Sequence, residues 1–161
     1  MRPSSRLALV GAVSALALSL GTGAASATGH DVIRNTLTPS LPTDPAINGV
    51  PPGGKPWIIG RGEVRVRDTG RMDVRIRGLQ IPNLNGDGVD VNPVGSINAL
   101  LFCDGMLTAD SGPHPMTVPG GNARFRVNLP VSGDCENPSV LISPTASGGG
   151  AYIASAVGSM G

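Results

Sequence analysis

Alternation of apolar and charged residues is the clearest pattern in the chain, and it is strongest over Arg61–Ile81. In two consecutive runs, apolar side chains occupy every second position and charged side chains most of the positions between them. This period of two is typical of strands with one buried face and one solvated face. Between the runs lies Asp68-Thr69-Gly70, and a three-residue loop ending in glycine suits a type I turn followed by a left-handed residue. The stretch is therefore predicted to form a β-hairpin.

The length of this loop sets the register of the hairpin. Residues of matching type then lie opposite each other: Val66 and Met72, Arg65 and Asp73, Val64 and Val74, Glu63 and Arg75. A two-residue loop would instead oppose Val66 to Asp73, and a slip of one residue turns a whole strand over. The three-residue register keeps one face apolar and opposes two acid–base pairs, each worth about 0.2–1 kcal/mol.

Shorter runs with strand character follow the hairpin. Residues 97–103, INALLFC, are apolar at almost every position, which indicates a central strand covered on both faces. Residues 122–129 alternate, with Arg124, Arg126 and Asn128 outward, and weaker strands are expected at 106–108, 116–118, 139–143 and 151–157. Seven or eight short strands separated by Gly, Pro and Asn predict an all-β fold. We expect an antiparallel β-sandwich, Ig-like in general architecture, with an open β-barrel as the alternative.

The chain divides into three segments. Residues 1–27 have the form of a secretory signal peptide, with Arg2 and Arg6, an apolar run over Leu7–Leu20 and an A-x-A cleavage site at residues 25–27. Residues 28–56 contain six prolines and are expected to be an extended or partly disordered lead-in, or to hold one edge strand around residues 32–37. The β-sandwich domain is placed at 57–158. The mature protein is expected to be secreted and extracellular, without a membrane span.

Cys103 and Cys135 are the only two cysteines of the chain. In an exported protein, two cysteines indicate one disulfide, because the compartment is oxidising. A metal pair or a catalytic thiol is the alternative, but two thiols alone form a poor site.

The hairpin also carries a stripe of arginines, with Arg65, Arg67, Arg75 and Arg77 as candidate ligand contacts beside Trp57. Such a stripe suits an anionic glycan, an acidic lipid or a nucleic acid, whereas interleaved acids favour a simple solvated sheet face. Nucleic acid is not expected as a partner, since aromatic residues for base stacking are missing from the stripe. Without Arg2 and Arg6, ten basic residues face eleven acidic ones, so the mature net charge is near −1.

The loop after the hairpin resembles the opening of an EF-hand calcium site. Oxygen-bearing side chains stand at Asn83, Asn85, Asp87 and Asp90, with Gly88 between the last two. The glutamate expected at the twelfth position is Val94 instead, and no helix flanks the loop. We therefore expect a plain connecting loop, with calcium as the weaker alternative and no other metal or cofactor.

Catalytic chemistry is not expected. The chain has two histidines, His30 near the expected mature N-terminus and His114 in a predicted loop. A catalytic triad requires a histidine held by a buried carboxylate, and neither position is expected to provide one. Three function classes remain. An extracellular structural or envelope-associated role comes first, a ligand- or glycan-binding module second, and an inhibitor of a secreted enzyme with residues 111–116 as bait loop third. Exposure of Trp57 and Tyr152 would favour the binding module.

Several segments together resemble a group of small secreted proteins of high-GC actinobacteria whose function is uncharacterised. The similarity lies in the GRGEVRVRDTGRMDVRIRGLQIP hairpin, the INALLFC and ARFRVNLP strands, and the C-x₂-P-S-V-L-I segment with the final AYIAS. It covers roughly residues 57–158. The resemblance implies an exported β domain with a disulfide. The sequence does not identify the partner, and a cell-envelope component or another extracellular protein is the candidate. It supplies no catalytic residues.

Overall fold

A computed structural model describes residues 29–131, 133–144 and 150–158, so the predicted signal peptide lies outside the described residues. The described part is built from strands, with no helix. The described residues therefore contain no helix that could cross a membrane. In chain order the strands are β1 (Asp31–Thr36), β2 (Thr38–Pro39), β3 (Arg61–Arg67), β4 (Arg71–Arg77), β5 (Ser96–Cys103), β6 (Met106–Asp110), β7 (His114–Pro115), β8 (Ala123–Asn128), β9 (Ser139–Ser143) and β10 (Ala154–Val157).

The strands form two antiparallel sheets packed face to face. The first sheet has the order β1-β3-β4-β8, and the second has the order β2-β10-β9-β5-β6, with β7 also pairing with β5. The inward side chains of both sheets share one hydrophobic core, which includes Val64, Val74, Ile97 and Ile142. This arrangement confirms the predicted β-sandwich.

The hairpin of β3 and β4 has the predicted register. Val66 pairs with Met72, Arg65 with Asp73, Val64 with Val74 and Glu63 with Arg75. The apolar members of these pairs are buried, as the alternation indicated. Gly70 has φ +82°, in the left-handed region expected for the last residue of the loop.

Replacing Gly70 by alanine is expected to lower the free energy of unfolding by at least about 2 kcal/mol, because a left-handed conformation is costly for alanine. The added Cβ would also collide with the carbonyl oxygens of Leu129 and Val131. Chemical denaturation measures the loss. Gly54→Ala is the matched control, since a Cβ there meets nothing within 4 Å and the backbone has no positive φ. Equal stability of the two variants would contradict the prediction.

Strand β5 is covered on both faces, as its continuous apolar sequence predicted. Its inward residues join the main core, and Leu100 and Phe102 on the other face join a second cluster with Val50, Leu141 and Tyr152. The cover comes from Ile47 and Val50 of residues 28–56, which we call the proline-rich segment. The Tyr152 hydroxyl donates to the carbonyl of Pro45 at 3.0 Å, which fastens this segment over the sheet.

The structure differs here from the expected lead-in at 28–56. Residues 31–36 form β1, which pairs with β3 at one edge of the first sheet, in agreement with the alternative of an edge strand. The sandwich therefore begins before residue 57, where the sequence placed its start. Prolines exclude long ladders, but they do not prevent isolated bridges and side-chain packing over the apolar outer face of β5 and β9.

Cys103 and Cys135 form the predicted disulfide, with their Cα atoms 5.2 Å apart. It ties the end of β5 to the loop that precedes β9. The outer face of the second sheet is covered by the proline-rich segment, whereas no described segment covers the outer face of the first sheet. That open face is the one that carries the arginines.

Candidate functional site: an arginine-rich sheet face

The open face of the first sheet collects arginines from all four of its strands. Because inward positions on these strands are apolar, the alternate positions project outward together. We call this surface the arginine face, and its nine arginines are Arg34, Arg61, Arg65, Arg67, Arg71, Arg75, Arg77, Arg124 and Arg126. All four hairpin arginines named from the sequence belong to it.

The charges of the molecule are strongly segregated. Of the ten basic residues after residue 27, nine lie on the arginine face and only Lys55 lies elsewhere. The face holds three carboxylates, Asp31, Glu63 and Asp73, so its net charge is +6, while the rest of residues 28–161 has eight carboxylates, Lys55 and a net charge of −7. The net charge of residues 28–161 is only −1, but the positive and negative charges lie on different parts of the surface.

Ion pairs within the face differ from the two cross-strand pairs that the register suggested. Asp73 pairs with Arg126 of β8 and more distantly with Arg71 (3.4 Å), although Arg65 is its direct partner across the hairpin. Arg65 instead contacts Asp31 of β1, Nε to Oδ1 at 2.6 Å. Glu63 pairs with Arg61 of its own strand at 2.7 Å. Of the two hairpin acids, only Asp73 thus pairs with an arginine outside the hairpin.

These pairs favour the ionised form of two carboxylates, Glu63 and Asp73. The hydrogen bond and charge of Arg61 lower the pKa of Glu63, and the more distant charges of Arg75 and Arg34 lower it further. Burial raises the pKa of Asp73, but the hydrogen bond and charge of Arg126, together with Arg71, outweigh burial and hold this pKa below its usual value. At neutral pH both groups are therefore anionic, and the net charge of the face is the full +6.

Five arginines of the face make no ion pair with any carboxylate of the described residues: Arg34, Arg67, Arg75, Arg77 and Arg124. Like charges also stand directly opposite each other in three register positions: Arg34 and Arg65, Arg61 and Arg77, Arg75 and Arg124. Such pairs destabilise a sheet. A face selected for stability alone would have acids at some of these positions.

A shallow depression of about 470 Å³ runs over the middle of the face. It is lined by residues of β1, β3 and β4 together with Arg126 of β8. Aromatic side chains are missing from this lining and from the outward positions of the four strands as far as the structure describes them. The face can therefore bind anions through charge and hydrogen bonds, but it offers no stacking surface.

Trp57, the remaining candidate contact, does not belong to this face. Its side chain is 5% exposed and packs in the main core, so it cannot contact a ligand at the surface. Tyr152 is 2% exposed and lies in the second cluster. Burial raises its pKa, as does the nearby charge of Asp44. Both large aromatic side chains thus serve the packing of the sandwich, which removes the aromatic platform typical of glycan-binding modules.

The calcium candidate is a loop closed by its own side chains. Asn83 Oδ1 accepts from Gly88 N at 2.6 Å, Asp87 Oδ1 from Val89 N at 2.9 Å, and Asp90 Oδ1 from Asn83 N at 3.2 Å. Asn85 has no such bond among the described contacts. Within the described residues, no three His, Cys, Asp or Glu side chains come together as a metal site. The oxygens have the arrangement of a connecting turn.

The proposed bait loop is held along the second sheet. His114 and Pro115 form β7 against β5, and Met116 N donates to the carbonyl of Gly95 at 3.0 Å. The ring of His114 stacks on Phe125 of the first sheet with centroids 3.8 Å apart. A segment fastened in this way does not have the protruding form of an inhibitory loop, and His114 serves to bridge the sheets.

Sequence reasoning missed part of the site. Arg34, Arg124 and Arg126 lie outside the predicted hairpin stripe, although alternation already placed the last two on an outward face. The missing information was which strands are neighbours in the sheet. No local feature of the sequence indicates that β8 pairs with β4 or that β1 pairs with β3.

The chain matches no protein-family model, and comparison with curated proteins and with solved structures gives no match either. The resemblance to secreted actinobacterial proteins therefore stays a prediction.

Proposed function

We propose that this protein is an exported, non-catalytic binding module that attaches to an anionic polymer of the cell envelope through its arginine face. The proposal joins the envelope-associated role and the ligand-binding role expected from the sequence. The sandwich supplies a rigid support, and the four-stranded sheet presents the charges.

The segregation of charge is the observation that carries this proposal. Soluble domains usually mix both signs over their surface, and a large field of one sign is typical of surfaces that attract a charged partner. Here nine of ten mature basic residues share one sheet face, and five of them have no carboxylate partner in the described structure. The directly opposed arginines cost stability in the free protein, and an anionic ligand would relieve that repulsion.

The surface favours some anions over others. Single-stranded nucleic acids are bound largely by stacking on aromatic side chains, and the outward positions of the described strands provide none. Neutral glycans are disfavoured for the same reason, because Trp57 and Tyr152 are buried. An anionic chain recognised by its charges is the class that remains.

Export is part of the proposal. The disulfide between Cys103 and Cys135 suits an oxidising compartment, and the sequence of residues 1–27 has the order of a secretory signal. Mass spectrometry of protein recovered from culture supernatant tests this step. Export predicts the mass of an oxidised chain that begins near Thr28, and a product found only inside the cell at its full length would contradict it.

Binding of the secreted protein to immobilised polymers at low salt tests the function. We expect retention on polyphosphate and on poly-glutamate, and none on neutral dextran. The variant Arg77→Glu is expected to weaken retention, whereas Lys55→Glu makes the same change of charge away from the face and should leave it nearly unchanged. Absence of binding to every polyanion, or an equal loss in the two variants, would overturn the proposal.

A further inference from the structure

One corner of the arginine face differs from the rest because no ion pair neutralises its arginines: Glu63, the register partner of Arg75, pairs with Arg61 instead. Arg75 and Arg124 are direct register partners across β4 and β8, and Arg77 follows Arg75 on the same side of β4. All three residues are exposed and lack an ion pair among the described residues. We call these three residues the β4–β8 corner.

A depression of about 300 Å³ lies at this corner. Its lining consists of the three arginines with Ile76, Asn122 and Ala123, and contains no carboxylate. The larger central depression, in contrast, includes both Glu63 and Asp73. Asn122 Oδ1 accepts from Gly78 N at 3.2 Å, which leaves the Nδ2 group of this amide as an additional donor beside the arginines.

The backbone spacing allows the three guanidinium groups to reach one anion. Directly opposed residues have Cβ atoms about 4.5–5.5 Å apart, and residues two apart along a strand are separated by about 6.6–6.8 Å. Arginine side chains are longer than these separations. Arg75, Arg77 and Arg124 can therefore converge on a single group lying over the corner.

We propose that the β4–β8 corner is a phosphate site, and that the envelope polymer bound by the arginine face is a phosphate-bearing chain and not a phospholipid surface. This inference rests on the proposed function and names its ligand class. A phosphate group offers more acceptor oxygens than a carboxylate and suits the bidentate geometry of arginine. At the centre of the face, Asp73 already occupies Arg126 and Arg71 and repels a second anion, so the corner is the preferred anchoring point.

The test compares two double variants that each remove two arginines without ion pairs. Arg75→Gln with Arg124→Gln alters the corner, and Arg34→Gln with Arg67→Gln is the matched control at the opposite side of the sheet. The probes are soluble polyphosphate and poly-glutamate of equal total charge, with Kd measured by calorimetry. We expect the corner variant to bind polyphosphate about tenfold more weakly and the control less than about threefold more weakly, because bidentate arginine–phosphate contacts are the strong ones. The wild type should prefer polyphosphate to poly-glutamate by about tenfold.

The outcomes separate this inference from the proposed function. Equal losses in the two double variants, or equal affinity of the wild type for both polymers, would overturn the phosphate site while leaving a polyanion-binding module. Binding to vesicles that contain an anionic phospholipid, without binding to soluble polyphosphate, would overturn the choice of polymer. Absence of binding to all probes would refute the proposed function itself.

A measurement on the wild type covers the case in which a variant fails to fold. Titration with inorganic pyrophosphate, followed by amide chemical shifts, is expected to move the signals of Arg75, Arg77, Asn122 and Arg124 first. Shifts centred on Arg34 and Arg67 instead would overturn the assignment.

Discussion

Replacing Cys103 and Cys135 together by alanine is expected to lower the free energy of unfolding by about 3–4 kcal/mol. The disulfide joins residues 32 positions apart in the sequence, so it removes many conformations from the unfolded chain. In the folded state it fixes the end of β5 to the loop before β9, two strands that already pair along Asn98–Phe102. Guanidinium denaturation, followed by the fluorescence of the buried Trp57, measures the difference.

Reduction of the wild type is the control for this experiment. The reduced protein and the double alanine variant should have similar stability, because both lack the same cross-link. Binding of polyphosphate should survive in the variant wherever it remains folded, since the cysteines belong to the second sheet and its loops, not to the arginine face. A loss of stability below about 1 kcal/mol would show that the cross-link constrains little of the unfolded chain.

The hairpin could be predicted in detail because its determinants are local. Its turn residues, its alternation and its register all depend on sequence neighbours within Arg61–Arg77, and Gly70 adopts the left-handed conformation that the turn requires. The disulfide and the central position of β5 were also predictable. Two cysteines allow one pairing, and a strand without polar alternation indicates cover on both faces.

The full extent of the arginine face could not be predicted from the same information. Its width depends on the pairing of β4 with β8 and of β1 with β3, and these partners are distant along the chain. β4 ends at Arg77 whereas β8 begins at Ala123, and β1 ends at Thr36 whereas β3 begins at Arg61. Those pairings bring Arg34, Arg124 and Arg126 beside the hairpin. They also reassign the ion pairs, since Asp73 finds Arg126 and Arg65 finds Asp31.

The packing of the proline-rich segment also could not be predicted from local sequence. Local reasoning identified correctly that prolines exclude regular ladders, but the outer face of β5 and β9 needed an apolar cover that only tertiary structure reveals. That cover buries Tyr152 under the segment, while Trp57 enters the main core. Both aromatic side chains are thereby withdrawn from any surface site.

Affinity for polyphosphate is expected to fall about a hundredfold between 50 and 200 mM salt, if a chain reaches the five arginines that lack ion pairs. Each contact releases counterions, and about 0.7 per contact applies to flexible single-stranded polyanions, so five contacts give a slope near −3.5 in log K against log salt. Calorimetry at several salt concentrations measures this slope. The control variant Lys55→Gln should leave it unchanged, because Lys55 lies off the face.

The variant Asp73→Asn tests whether the polymer also contacts the centre of the arginine face. The substitution removes the carboxylate that occupies Arg126 and Arg71, and so frees two more guanidinium groups for the ligand. The slope should steepen to about −4.9 for seven contacts, and affinity at low salt should rise. An unchanged slope would mean that the polymer does not reach the centre of the face. A slope near zero in the wild type would mean that binding does not depend on the arginines at all.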